Sequence, residues 1–230
     1  MMNQVFLSGF MQVQLVVPSD LGGWFQATLG KTEMDYLWAR IKAAEERDKD
    51  IRSTLAGQLS ASLALDDPDN YFQNNILQPL AKKYLEQQPF YMNYVRGNRM
   101  SSETQDTDTF DMLLDQWWVN KQKQGEYNPM HNHSGIFSFV VWMHEPVNHD
   151  EQNKQENGKT SNRPCHHEFS FHYSTMTHQM THSMYPLGKE LEGTMLFFPS
   201  DLFHSVNPFF NNDGIRISIA GNMGVKGSWD

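Results

Sequence analysis

Two histidines two residues apart, His131 and His133, are the sharpest chemical feature of this chain. In an extended strand that spacing puts both imidazoles on one face, where they can converge on a single metal ion. A third donor is available in Gly193-Thr-Met-Leu-Phe-Phe-Pro-Ser-Asp-Leu-Phe-His204-Ser-Val. That stretch reads as a strand, a turn at Pro199-Ser-Asp201, and a histidine opening the next strand. Twelve residues on, Arg216 and Ser218 share a strand face by the same period-two rule, with Ile217 and Ile219 on the other. Segment 207–214 is turn-rich, which predicts His204 and Arg216 on adjacent antiparallel strands. A guanidinium and a hydroxyl near a metal suit a dicarboxylate: one end chelates the ion and the other pairs bidentately with arginine.

Composition agrees on where the chemistry lies. All ten histidines fall between His131 and His204, and the preceding 130 residues contain none. The 230-residue chain is long enough to bury a core as one domain, with residues 1–110 as an N-terminal part and 111–230 as the catalytic core. Its net charge of −9 argues against a nucleic-acid or anionic-membrane partner. One cysteine, Cys165, excludes an intramolecular disulfide framework and a cysteine-rich zinc module. The apolar runs are strand-length, and the first eleven residues lack the pattern of a signal peptide, so a soluble cytoplasmic protein is expected. Neither a Gly-x-Ser-x-Gly elbow nor a phosphate-binding glycine loop occurs.

The elements that must position these residues are legible in outline. Residues 5–17 alternate and read as one strand or a bent pair, followed by a turn at Asp20-Leu-Gly-Gly-Trp. Residues 32–52 repeat Met34, Leu37, Trp38, Ile41 and Ala44 at helical steps, and residues 72–88 repeat Ile76, Leu77, Leu80 and Leu85. Residues 98–108 are polar and read as a loop. From residue 110 onward, strand-like runs at 116–121, 137–144, 168–173, 193–198, 205–209 and 215–220 alternate with Gly, Pro and Asn clusters. This texture predicts an antiparallel β-sandwich under an N-terminal helical layer. Segment 148–164 reads as a long polar loop, a candidate lid.

The pieces Trp118-Val-Asn120, Gly125-Glu-Tyr-Asn, His131-Asn-His133-Ser-Gly, Phe137-Ser-Phe-Val-Val, Phe197-Phe-Pro-Ser-Asp-Leu-Phe-His204 and Arg216-Ile-Ser218 together resemble the 2-oxoglutarate/Fe(II)-dependent oxygenase family, prolyl-hydroxylase-like. The resemblance spans about residues 116–222. It implies a mainly β fold with helices, the double-stranded β-helix or jelly roll. It implies Fe(II) and 2-oxoglutarate as cofactor and cosubstrate, with hydroxylation of a small-molecule or peptidyl substrate. His131 and His204 would be iron ligands. Arg216, assisted by Ser218, would hold the far carboxylate of 2-oxoglutarate, Asn120 would face the same pocket, and Tyr127 and Asn128 would be weaker members of its wall.

One position departs from the family. The carboxylate expected two residues after the first histidine is His133 here. Either three neutral imidazoles hold the iron, or His133 stands back and a carboxylate such as Glu168 or Asp201 reaches in. The three-histidine set is preferred, because same-face spacing needs no further folding assumption. The other seven histidines are read as ordinary polar residues, Phe197 and Phe198 as core, Trp117 and Trp118 as core with one of them open as a pocket-lining residue, and Cys165 as without a role. Two competing functions stay open: a cupin-like metalloprotein, dioxygenase or isomerase, that does not use 2-oxoglutarate, and a non-enzymatic β-sandwich module. A homodimer also stays open.

Overall fold

Along the central strands, alternate residues enter two different apolar clusters, so each strand separates two buried layers. In β7 (Phe137–His144), Phe137, Phe139, Val141 and Met143 join one cluster, and Val140 and Trp142 the other. The split repeats in β10 (Thr194–Pro199), where Met195 and Phe197 oppose Leu196 and Phe198. In β12 (Arg216–Val225), Ile217, Ile219 and Met223 take the first side, while Arg216, Ser218 and Ala220 line a cavity on the second.

The computed structural model describes residues 4–7, 11–16, 23–99, 112–175 and 177–225. Among these, the strands form two antiparallel sheets. The larger joins β1 (Gln4–Leu7), β2 (Met11–Val16), β3 (Trp24–Thr28), β10, β7, β12, β5 (Met112–Gln122) and β4 (Ala61–Ala64), in that order. The smaller runs β6 (Asn128–His131), β11 (Phe203–Val206), β8 (Glu168–Ser174), β9 (Met180–Pro186). Trp24, Val140, Trp142, Phe169, Phe171, Leu196 and Phe198 form the core between the sheets.

Helices cover the other face of the large sheet. In α1 (Lys31–Arg47), Leu37, Ile41 and Ala44 are buried, a stripe at steps of four and three. A π-helical turn over Gln73–Leu77 leads into α2 (Gln78–Gln87), which buries Leu80, Ala81, Tyr84 and Leu85; α3 (Pro89–Arg99) follows. Phe72 stacks on Trp117 at 5.4 Å between ring centroids. Beneath these rings, Gly221 is required by space: a Cβ there would lie 2.5 Å from that of Trp117.

The expected sandwich and helical layer are thus present, with differences in detail. The segment read as a strand or bent pair is the β1–β2 hairpin. The strand expected at 205–209 is β11, two residues earlier, so His204 lies inside it. Segment 148–164, expected as a loop, carries two short helices, α4 (His149–Asn153) and α5 (Glu156–Lys159). Strands β3, β4 and β9 and helix α3 were not expected, being short or polar enough to hide their periodicity. Of the expected loop 98–108, the first two residues end α3 and the rest lies outside the described residues, as do residues 20–22 of the expected turn.

Candidate metal centre and cavity

The smaller sheet builds the histidine cluster. His131 at the end of β6 pairs directly across the ladder with His204 of β11, and their rings lie 4.3 Å apart. The His133 ring stands 4.9 Å from that of His131 and 5.1 Å from that of His204. The strand expected to carry both histidines ends at His131, so His133 lies just beyond it. Its backbone N–H donates to the Ser200 carbonyl at 2.9 Å, which ties the segment to the β10–β11 turn and keeps the imidazole with the other two.

One ligand atom from each of the three histidines lies within 4.8 Å of the others, and among the described residues no carboxylate or thiol joins them. The ring orientations suit a cation. His131 Nδ1–H donates to the Pro129 carbonyl at 2.7 Å, and His204 Nδ1–H to the Leu202 carbonyl at 2.9 Å. Each bond fixes the tautomer that leaves the Nε2 lone pair for a metal. Burial lowers the affinity of all three for protons, with the mutual repulsion of imidazolium forms adding for His133 and His204. His133 is brought down to about 4. Three neutral imidazoles therefore face one point at neutral pH, packed against Trp118, Phe169 and Phe198. This donor set fits Fe(II) or a similar borderline divalent ion.

Neither alternative carboxylate lines the cavity. Glu168 accepts from Ser170 Oγ and Asn207 Nδ2, both at 3.3 Å, and Asp201 accepts from Tyr94 at 2.6 Å.

The large sheet forms the opposite wall. Trp118, Asn120 and Gln122 of β5 share a face with Arg216, Ser218 and Ala220 of β12, and all six line a cavity of about 50 Å³ with the histidines. Ser62, Asn120 and Ser218 stand side by side across β4, β5 and β12, and Ser62 Oγ donates to Asn120 Oδ1 at 2.7 Å. Gly57 lies at the wall, where a Cβ would fall 2.1 Å from Asn128 Oδ1. Asn128 lines the cavity; Tyr127 is 43% exposed and does not.

The expectation that His204 and Arg216 sit on adjacent strands is corrected. They lie in different sheets and face one cavity across the sandwich, because segment 207–215 crosses from β11 in the small sheet to β12 in the large one. Arg216 is 1% exposed. Its Nε–H donates to Glu145 Oε2 at 3.2 Å and its Nη1 to Gln122 Oε1 at 3.0 Å. Nη2 donates to His167 Nδ1, whose Nε2–H in turn donates to the Val147 carbonyl at 2.9 Å. Both Nη atoms also share the Asn207 carbonyl at 3.4 and 3.5 Å, long bonds that a stronger acceptor could replace. Burial and the adjacent guanidinium bring His167 down to about 3, so it is neutral. Burial raises the Glu145 carboxyl to about 7 against the pull of Arg216.

Sequence reasoning missed Glu145, Gln122 and His167. Gln122 carried a signal, standing two residues after Asn120 on the same strand face. Glu145 and His167 meet Arg216 from 71 and 49 residues away, and no local pattern marks them.

Residues 116–222 match the family described as "Putative 2OG-Fe(II) oxygenase". A prolyl-4-hydroxylase of Pseudomonas putida superposes with a TM-score of 0.50 at 14% identity, over 89% of this chain and 93% of its own. The non-heme alpha-ketoglutarate-dependent carbocyclase SnoK from nogalamycin biosynthesis gives 0.51 at 8% identity, over 88% and 79%. No curated protein matches by sequence. These structural likenesses share the fold, the double-stranded β-helix, and the family match covers all three histidines and Arg216. Over residues 116–222, the chain is similar to that 2-oxoglutarate/Fe(II) oxygenase family.

Proposed function

We propose that the whole chain, as one domain, is an Fe(II)- and 2-oxoglutarate-dependent dioxygenase that hydroxylates a small-molecule or peptidyl substrate, with His131, His133 and His204 as the metal ligands. The observation that carries the ligand set is the convergence of three buried imidazoles, two of them with Nδ1 bonded so that Nε2 stays available. The bound ion would supply dioxygen activation, coupled to oxidative decarboxylation of the 2-oxo acid. One oxygen atom goes to the substrate and the other to succinate, with release of CO2.

The chain's own residues have distinct tasks in this reading. The Pro129 and Leu202 carbonyls hold two imidazoles in one tautomer and one orientation. Trp118, Phe169 and Phe198 pack about the histidines and exclude water. Asn120 and Ser218 offer hydrogen bonds at the far wall, and Arg216 its positive charge, to the distal carboxylate of the cosubstrate. Tyr127 is given no part in this, since it is 43% exposed and does not line the cavity.

The acidic net charge supports a substrate other than nucleic acid. Among the described residues no helix is long and apolar enough to cross a membrane. A cytoplasmic location is part of the reading, supported by a single free cysteine and by the need for ferrous iron. The family match removes the support for a cupin-like protein independent of 2-oxoglutarate and for a non-enzymatic module.

Anaerobic addition of Fe(II) and 2-oxoglutarate tests the proposal. A visible charge-transfer band is expected, followed by succinate release when oxygen is admitted. Absence of both, or a band unchanged in His131→Ala, overturns it.

A further inference from the structure

The arginine end of the cavity holds a second buried charge that the reaction does not obviously need. Glu145 is fully buried directly behind Arg216, bonded through Oε2 to its Nε, and does not line the cavity itself. Its other oxygen, Oε1, is buried with no hydrogen-bond partner. A half-satisfied buried carboxylate is a poor way to add stability, because desolvation offsets most of the attraction to its partner. Glu168, the other buried carboxylate among the described residues, is bonded to Ser170 and Asn207 and makes no contact with Arg216.

The metal end lacks the charge that Glu145 supplies. A two-histidine, one-carboxylate site keeps one negative charge on the metal. Here the third donor is the neutral imidazole of His133. We infer that Glu145 is the displaced counterpart of that carboxylate, a positioning residue that moves the missing negative charge from the metal to Arg216. The inference rests on the three-histidine reading above. With a divalent ion and a dianionic 2-oxo acid bound, ion and cosubstrate cancel, and so do Arg216 and Glu145. Without Glu145 the loaded cavity would keep one uncompensated positive charge. With an acidic third ligand and Glu145 together, it would keep one negative charge. Glu145 also orients the guanidinium through Nε; besides their bonds to Gln122 and His167, the two Nη atoms each keep one long bond to the Asn207 carbonyl, the position a carboxylate would take.

The test measures cosubstrate binding, not turnover. Full-length protein is loaded with Co(II) under nitrogen, with metal uptake followed by its visible absorption. It is then titrated calorimetrically with 2-oxoglutarate. His133→Asp is expected to keep the metal and to lose roughly tenfold in 2-oxoglutarate affinity, from the added negative charge. Combining it with Glu145→Gln, whose amide oxygen can still accept from Arg216 Nε, is expected to restore most of that loss. A residue that merely supports the fold would not rescue a distant substitution. The inference is overturned if the double variant binds no better than His133→Asp. Should the Glu145 variant not fold, His133→Asp alone decides: unchanged 2-oxoglutarate affinity with metal bound overturns the inference. Failure of the wild-type chain to take up Co(II) overturns the three-histidine reading itself, which is a different result.

Discussion

At the histidine end of the cavity three lone-pair donors converge on one point, whereas at the arginine end the donors of Arg216 already meet protein acceptors. Both ends are buried, and both would look equally polar in a list of residues. His131 and His204 come from the small sheet and His133 from the segment just after β6, tied to the β10–β11 turn, and Nδ1–carbonyl bonds hold His131 and His204 with an unused nitrogen facing inward. Arg216 comes from the large sheet and is held by residues from four other segments. The difference separates two kinds of buried polarity. Unused, pre-oriented acceptors are a disposition to bind, while a guanidinium bonded on every side lends charge and position.

The largest expected effect is at the histidine end. His204→Ala removes the proposed ligand that is paired across the ladder with His131, and Fe(II)-dependent succinate release should fall by more than about 100-fold, beyond what loss of a supporting contact gives. Circular dichroism should show the sheets intact. Near-normal turnover would erase the distinction between the two ends.

At the arginine end the expected loss is of stability. Arg216→Met leaves Glu145 buried without its partner and should cost about 3–5 kcal/mol in urea unfolding. Replacing both, Arg216→Met with Glu145→Met, should return stability to within about 1 kcal/mol of wild type, since apolar pairs often substitute for buried ion pairs. A double variant as unstable as the single one would mean that the pair itself holds the fold.

The smallest effect is the dependence of stability on acid. His167 has its folded value lowered to about 3, so between about pH 6.5 and that value the unfolded chain binds a proton that the folded chain refuses. Its contribution is complete above pH 6.5 and is lost as pH falls. The three cavity histidines act with the same sign in the metal-free protein. Glu145 acts oppositely: its raised value of about 7 favours the folded state at low pH and loses that contribution as pH rises through 7. The four histidines outnumber it, so the urea midpoint of the metal-free chain should fall between pH 6.5 and 4.5. A midpoint that rises over that range would show that the histidines are not held neutral.

How much could be read from the chain alone followed the range of the interactions. The same-face pairing of Arg216 with Ser218 and the strand texture from residue 116 onward rest on a period of two within a few residues, and both are present in the structure; His131 and His133 converge as the spacing suggested, but with His133 beyond the strand. The helical stripes of α1 and α2 were legible for the same reason, through a different period. What sequence left open was which sheet each strand joins. His204 and Arg216, twelve residues apart, looked like neighbours on one ladder and instead face each other across the sandwich. The position of His133 beyond its strand depends on the Ser200 carbonyl, and the burial of Arg216 depends on Glu145 and His167. Local periodicity therefore determined the donors and the faces they share. Only tertiary packing decided which faces meet and where the balancing charge lies, because contacts across a sandwich leave no spacing in the chain to read.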